Sequence, residues 1–242
     1  MTLATAKTRA LLVRRVPYGE SDLIVTLFTE QAGAVGATAR GARRTRRRFV
    51  GLEPMHLQRV ELLLTPGKEL ATLVEVQLER PRLGLTTALA RMEAAGQALR
   101  WLRQLAPPRT AEPQLWVEIN ALLDALDQVS DELHLDALVG AAGLRMIEAA
   151  GWGLDLSRCV RCERPCPEQA PVLIDVTAGG VVCRRCGGGP LLLSARERRG
   201  LLRALDGDES GLRQTEDAAA AQRLVRQALV AHGEVKDPTV DR

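Results

Sequence analysis

The feature that most constrains this sequence is the arrangement of its cysteines. Four of the five form two Cys-x-x-Cys pairs, Cys159 with Cys162 and Cys183 with Cys186, separated by 20 residues. Two such pairs allow four thiolates to converge tetrahedrally on Zn²⁺, at about 2.3 Å each. Segment 172–182, between the pairs, has the pattern of a β-hairpin, which would return the second pair to the first. The sequence therefore predicts one structural Zn²⁺, held by these four thiolates in a closed site.

The fifth cysteine, Cys166, lies between Pro165 and Pro167. It is an alternative ligand to Cys162, but two symmetric pairs give the better geometry, so we expect Cys166 to remain a free thiol. A thiol–disulfide function would need a single Cys-x-x-Cys motif on an αβ scaffold, and the sequence has no such pattern.

The first residues of the chain lack the apolar run of a secretory signal. No segment approaches the roughly eighteen apolar residues that a membrane span requires. We therefore expect a cytoplasmic protein with no membrane partner. Thiols stay reduced in the cytoplasm, which also favours a metal over disulfides.

Short apolar runs rich in β-branched residues fill the first eighty residues. They lie near 8–16, 22–29, 33–39, 54–64 and 69–79. In the last run, alternation predicts one buried face, made of Leu70, Thr72, Val74, Val76 and Leu78. Five short strands in a segment of this length are typical of a small barrel. The OB-fold is the commonest such barrel, and an SH3-like barrel is the alternative.

Beyond residue 80 the apolar period becomes helical. Helices are predicted at about 84–106, 112–129, 131–150, 194–205 and 216–231. The apolar stripes of these helices indicate core packing rather than a binding surface. The fold class is therefore α+β. Residues 1–80 form the barrel domain, and residues 81–242 form a helical domain interrupted by a zinc-ribbon-like module at about 155–190.

Positive charge is concentrated at the start of the chain. Residues 1–50 hold ten basic and three acidic side chains, whereas the whole chain carries a net charge of only +3. Six arginines fall within nine residues: Arg40, Arg43, Arg44, Arg46, Arg47 and Arg48. Like charges at this density are favoured where phosphates neutralise them, and a solvated loop is the alternative.

The six arginines, extended by Arg9, Arg14 and Arg15, predict a DNA-binding surface on the barrel. Aromatic residues that could stack on bases are scarce in this region, where only Tyr18, Phe28 and Phe49 occur. We therefore expect binding that is mainly electrostatic and sensitive to salt.

Signatures of catalysis are missing from the sequence. The three histidines are scattered, and no phosphate-binding GxxxxGK[ST] loop, HExxH or GxSxG motif occurs. We therefore expect no enzymatic activity. A zinc-ribbon transcription factor or RNA-binding factor is the alternative function, and an enzyme with a nuclease site assembled from distant carboxylates is a further alternative.

Three motifs in the barrel region carry a resemblance to a known family. They are Tyr18-Gly-Glu-Ser-Asp22, Leu27-Phe-Thr-Glu-Gln-Ala-Gly33 and Ala39-Arg-Gly-Ala-Arg-Arg44. Together with the order barrel, helices, cysteine pairs, helices, they make the chain resemble the RecO family. Arg40 stands where members often carry lysine, a difference that preserves the charge.

The resemblance implies a DNA repair function in the RecF pathway of recombination. A RecO-like mediator has an OB-fold, binds single- and double-stranded DNA, and anneals complementary strands. It pairs with RecR and assists RecA, its indirect partner, on strands covered by single-strand-binding protein. Such a protein would be cytoplasmic and associated with the nucleoid.

Overall fold

The computed structural model describes residues 4–44, 47–129 and 134–233. Arg46, the expected start of the third helix and most of the last ten residues lie outside the described residues. Two compact units divide the chain, residues 1–127 and 128–242. Among the residues that the structure describes, no helix has both the length and the apolar character needed to cross a membrane.

The first unit begins with five strands. They are β1 Ala4–Tyr18, β2 Asp22–Thr29, β3 Gly33–Ala39, β4 Leu57–Leu64 and β5 Ala71–Arg80. The strands close into a barrel in the order β1-β2-β3-β5-β4, and β3 runs parallel to β5. This topology confirms the predicted α+β fold class with an OB-type barrel.

The barrel interior is filled by alternate residues of each strand. In β3, for example, Val35, Ala37 and Ala39 are buried, while the residues between them are half-buried. The predicted inner face of β5 is wrong over most of its length, because Leu73 is buried and Leu78 is exposed. A bulge at Val74 shifts the register against β4, so Leu73 and Val76 both point inward although they are three residues apart.

Two helices, α1 Leu89–Leu105 and α2 Pro113–Gln128, follow the barrel. The sequence pattern predicts helix from about residue 84, but Leu83–Thr86 forms a separate 3₁₀ turn. Leu85 of this turn is buried, whereas Leu89 and Met92 at the start of α1 are exposed. The apolar face predicted for α1 therefore coincides with the buried face only in the later turns of the helix.

These helices are packed against the outside of the barrel. The Phe28 ring of β2 lies 5.8 Å from the Trp116 ring of α2, measured between centroids. The guanidinium of Arg82, at 1% side-chain exposure, donates from Nε to Asp124 of α2 at 2.7 Å and from Nη1 to the Met55 carbonyl at 2.8 Å. Gly33 has no room for a side chain, because a Cβ there would lie 1.9 Å from the Thr110 carbonyl oxygen. The compact unit that contains the barrel thus also includes α1 and most of α2, and it ends at residue 127.

Within residues 134–233, the second unit combines three α-helices with a small sheet. The helices are α3 Leu135–Ala149, α4 Ala195–Leu205 and α5 Thr215–His232. The strands, in the order β6-β8-β7-β9, are β6 Asp155–Cys159, β7 Val172–Asp175, β8 Gly180–Val181 and β9 Leu191–Leu193.

Two local predictions for this unit are confirmed. Strands β7 and β8 form the expected hairpin, in which Ile174 pairs with Val181. Helix α4 begins with a capping box, since the Ser194 side chain accepts from the Glu197 amide and the Glu197 carboxylate accepts from the Ser194 amide.

Candidate metal centre and nucleic-acid interface

The four paired cysteines come together in the second unit. The Sγ atoms of Cys159, Cys162, Cys183 and Cys186 all lie within 4.8 Å of one another. The Sγ atoms of Cys162 and Cys183 are 3.9 Å apart. Ligands of a tetrahedral Zn²⁺ at about 2.3 Å would be about 3.8 Å apart, so the spacing fits such an ion. The cluster has the donor set and size of a metal site.

Backbone hydrogen bonds shape both cysteine turns. The first turn follows β6, where the Val160 amide donates to the Val181 carbonyl at 2.8 Å and the Glu163 amide donates to the Cys159 carbonyl at 2.8 Å. The second turn is the 3₁₀ segment Arg184–Cys186, after which Gly187 has a φ of 106°. A residue with a side chain rarely adopts this conformation, so Gly187 allows the chain to reverse directly after Cys186.

The environment of the cluster favours thiolate at its buried member. The Cys183 amide donates to the Cys159 sulfur at 3.3 Å, and this bond, with the amides of Arg161 and Cys162, lowers the pKa of Cys159 to about 6. Hydrogen bonding to the Cys183 and Cys162 sulfurs raises the pKa of Cys186 to about 12. Backbone amides therefore stabilise one thiolate, at Cys159, whereas the sulfurs of Cys183 and Cys162 oppose a second thiolate at Cys186. A cation at the centre would remove that opposition.

Cys166 is not a member of the four-sulfur cluster. It is half-buried, and burial raises the pKa of its thiol. Its carbonyl oxygen accepts a hydrogen bond from Arg198 Nη2 at 3.1 Å. Within the described structure, the symmetric pairs therefore make up the cluster without Cys166.

Arg198 of α4 connects that helix to the cysteine module. Its buried guanidinium donates to the carbonyls of Leu156, Ser157, Cys166 and Pro167. A buried charge is costly unless it is fully hydrogen-bonded, and these four acceptors satisfy it. Arg198 therefore holds β6 and the turn that contains Cys166 and Pro167 against α4. Its guanidinium is not available to bind DNA.

The second candidate site is the arginine-rich loop, which we define as residues 40–48 with their six arginines. It is fixed to the turn between β1 and β2. Asp22 Oδ1 accepts from the Gly41 amide at 2.8 Å, and the Ser21 carbonyl accepts from the Arg43 amide at 2.9 Å. The Gly41 hydrogen bond, with smaller contributions from Ser21 and the positive charges of Arg40 and Arg44, lowers the pKa of the Asp22 carboxyl. The motif Tyr18–Asp22 is thus the support on which the loop rests.

Five arginines of the loop are exposed among its described residues. They are Arg40, Arg43, Arg44, Arg47 and Arg48. Arg43 Nη1 donates to the Gly19 carbonyl at 3.2 Å, and Arg48 Nη2 donates to the Arg40 carbonyl at 3.0 Å. The Arg48 guanidinium also lies over the Phe49 ring, 5.3 Å from its centroid. Because backbone carbonyls and a ring leave the charge unneutralised, Arg43 and Arg48 keep their capacity for phosphate.

The remaining predicted arginines differ in their surroundings. Arg44 forms an exposed ion pair with Glu20 at 3.0 Å, and Arg15 forms one with Glu53 at 2.8 Å. Arg9 is paired with Glu30, and this contact raises the pKa of Arg9 and lowers the pKa of Glu30, in favour of the charged form of each. Arg14 is half-buried and Arg47 is exposed.

Two arginines near Arg198 are further candidates for an extension of the DNA surface. Arg196 is paired with Glu216 and Asp217. Arg199 donates to the Gln169 side chain at 2.9 Å. Both belong to the second unit and already have polar partners within it.

Sequence reasoning missed two structural arginines, Arg82 and Arg198. Each has another arginine within two positions, Arg80 near Arg82 and Arg199 beside Arg198, so nothing in the local sequence separates the buried guanidinium from the exposed one. Sequence reasoning also missed the hydrogen bond from the Gly41 amide to the Asp22 carboxylate.

The comparisons with known proteins cover both units. Residues 1–82 match the family model described as Recombination protein O N terminal, and residues 87–239 match Recombination protein O C terminal. Two relatives named DNA repair protein RecO, from Anaeromyxobacter dehalogenans strain 2CP-1 and Anaeromyxobacter sp. strain K, are each 37% identical to this chain over 93% of its length and 89% of theirs. A third, from Anaeromyxobacter sp. strain Fw109-5, is 36% identical over 74% of this chain and 70% of its own.

The fold and sites define an α+β protein with an OB-type barrel, an arginine-rich loop on that barrel, and a four-cysteine cluster of metal-binding type. The family matches make the assignment specific. The chain belongs to the Recombination protein O (RecO) family.

Proposed function

We propose that this protein is a recombination mediator of DNA repair in the RecF pathway. It binds single- and double-stranded DNA through the barrel and anneals complementary strands. The observation that carries the proposal is the family match along both units, including relatives named for DNA repair. The supported arginine loop supplies the physical means, because its exposed guanidinium groups can neutralise phosphates.

The interface that we propose consists of Arg9, Arg14, Arg15, Arg40, Arg43, Arg44, Arg46, Arg47 and Arg48. Arg40, Arg43 and Arg48 are its central part, since the Gly41–Asp22 bond and the Arg43 contacts fix the loop from which they project. Arg9 contributes less, because its carboxylate partner Glu30 is partly buried, whereas the pairs of Arg15 with Glu53 and of Arg44 with Glu20 are exposed and exchange more readily for a phosphate. Arg46 lies outside the described residues.

The metal that we propose for the cluster is one structural Zn²⁺, with Cys159, Cys162, Cys183 and Cys186 as its ligands. Four sulfur donors at tetrahedral spacing favour zinc over hard cations, which prefer oxygen. A centre with four thiolates offers no open position for water, so its contribution is to folding. The protein would then act by binding and positioning DNA, without catalysis.

The proposed partners follow from the family. RecR pairs with the protein, and together they help RecA to load onto strands covered by single-strand-binding protein. The site of action is the nucleoid in the cytoplasm. The second unit and helices α1 and α2 supply most of the surface for protein partners, since residues 81–154 carry more acidic than basic side chains.

Strand annealing distinguishes this proposal from a transcription or RNA-binding factor. Purified protein is expected to accelerate pairing of two complementary single strands without nucleotide, and to do so similarly for unrelated sequences. A fluorescence-quenching assay with strands labelled at opposite ends measures the rate. No acceleration, combined with strong preference for one duplex or RNA sequence, would favour the alternative function.

Two fragments test whether the barrel, rather than the helices of the second unit, binds DNA. A fragment of residues 1–127 is expected to unfold cooperatively and to bind DNA at low salt, because it retains Trp116 against Phe28 and the α2 partners of Arg82. A fragment of residues 1–80 is expected to lose solubility, because removal of the helices exposes Phe28 and Leu11. Urea unfolding and polarisation titrations of both fragments measure this. A soluble 1–127 fragment without DNA affinity would place the DNA interface elsewhere.

A further inference from the structure

The aromatic side chains of this protein are almost all used in packing. Phe28, Phe49, Trp101 and Trp116 are buried, and Trp152 is half-buried. Tyr18 differs, since 56% of its surface is exposed. A ring open to solvent contributes little to the core, so burial does not explain the presence of an aromatic residue at this position.

Tyr18 lies at the end of β1, directly across from Asp22 at the start of β2. Residues that oppose each other in an antiparallel pair have side chains on the same face. The Asp22 carboxylate on that face accepts a hydrogen bond of 2.8 Å from the amide of Gly41, which lies at the beginning of the arginine-rich loop. The ring of Tyr18 and the start of the loop therefore share one face of the hairpin.

A second contact brings the loop to the same turn. Arg43 Nη1 donates to the carbonyl of Gly19, the residue that follows Tyr18, at 3.2 Å. Gly19 has a φ of 57° and reverses the chain directly after Tyr18. The exposed ring therefore belongs to the residue next to the one that the exposed Arg43 guanidinium contacts, an arrangement that suits both chemical parts of a nucleotide.

We propose that Tyr18 is a base-stacking residue, which binds an unpaired nucleobase while the arginine loop binds the adjoining phosphates. This inference rests on the proposed DNA-binding function and adds a preference for single strands. Bases of a duplex are already stacked and paired, so only an unpaired base is free to cover the ring. Tyr18 would therefore discriminate single strands from duplexes, whereas the arginines act on both.

The test compares three variants of the full-length protein: Tyr18→Leu, Tyr18→Phe and Tyr18→Ala. Leucine preserves an apolar side chain without a ring, and phenylalanine preserves the ring without the hydroxyl. Affinities for a fluorescent oligothymidine and for a mixed-sequence duplex are measured by polarisation at several salt concentrations. Thermal unfolding of each variant controls for folding.

The Y18L and Y18A variants are expected to bind the single strand about tenfold more weakly, as removal of one stacked base would predict. Their duplex affinity should stay within about twofold of the original, and the salt slope should not change because no phosphate contact is lost. Y18F should bind like the unmodified protein. Equal loss for single strand and duplex, no loss in Y18L, or a loss in Y18F as large as in Y18A would each overturn the inference.

The outcome is separable from a failure of the proposed function. If the unmodified protein binds neither DNA, the proposed function itself is wrong. If it binds both and the Tyr18 variants bind the single strand equally well, only the stacking role is wrong.

Discussion

Replacing Cys183 with serine is expected to abolish metal binding and to remove most of the folding stability of the second unit. Cys183 supplies one of four sulfurs within 4.8 Å, and serine would replace this thiolate with a hydroxyl, which is not among the ligands of structural zinc sites. A structural Zn²⁺ in a small module contributes on the order of 10 kcal/mol of apparent binding free energy, which is comparable to the stability of a whole domain. The sheet β6-β8-β7-β9 has short strands, so little other burial can replace the ion.

The matched control is Cys166→Ser, which removes a cysteine of the same module from outside the cluster. Elemental analysis of protein purified without chelator should give one zinc per chain for the unmodified protein and for C166S, and none for C183S. Circular dichroism and urea unfolding should show the loss of stability in C183S alone. Stoichiometric zinc in C183S, or its absence from the unmodified protein, would contradict the assignment.

The local elements of the fold could be predicted because their signals are local. Strands β2 and β3 have the bounds that the apolar runs near 22–29 and 33–39 indicate, and the Ser194 capping box begins α4 as expected. The errors arise where pairing overrides the pattern. A bulge at Val74 depends on the partner strand β4, and no feature of the β5 sequence reveals it.

The two candidate sites differ in how much of their structure could be predicted from the sequence. The cysteine cluster was fully predictable, since two turns joined by a hairpin are determined by short-range spacing. The arginine loop was identified by its composition, but its attachment was not. Asp22 and Gly41 are 19 positions apart, and the pairing of β2 with β3, in which Leu23 lies opposite Ala39, brings them within hydrogen-bond distance. The burial of Arg198 could not be foreseen from the sequence either, because its four carbonyl acceptors come from segments more than thirty positions away.

Replacing Arg43 and Arg44 together with alanine is expected to flatten the salt dependence of DNA binding. Each phosphate neutralised on a single strand releases a counterion and contributes about −0.7 to the slope of log affinity against log salt. If four of the interface arginines reach phosphates at once, the slope of the unmodified protein is about −3. Loss of two contacts should reduce its magnitude by about 1.4 and weaken all sequences alike. Arg44 first has to leave Glu20, but this exposed ion pair at 3.0 Å is weak enough to exchange for a phosphate.

The control is the double variant Lys7→Ala and Arg59→Ala, which removes the same charge from the barrel outside the loop. Lys7 is paired with Glu61 and Arg59 with Glu79, so both positions resemble Arg44 in having an acidic neighbour. Fluorescence titrations with single-stranded DNA at several salt concentrations give the slope of each protein. We expect the control to retain most of the slope of the unmodified protein. Lys7 and Arg59 lie at the end of β1 remote from the Tyr18–Asp22 support, and the interface arginine that they adjoin, Arg9, is already paired with Glu30. Equal flattening in both double variants would show that net charge alone governs binding, and an unchanged slope in the Arg43 and Arg44 variant would show that the loop is solvated and does not bind phosphate.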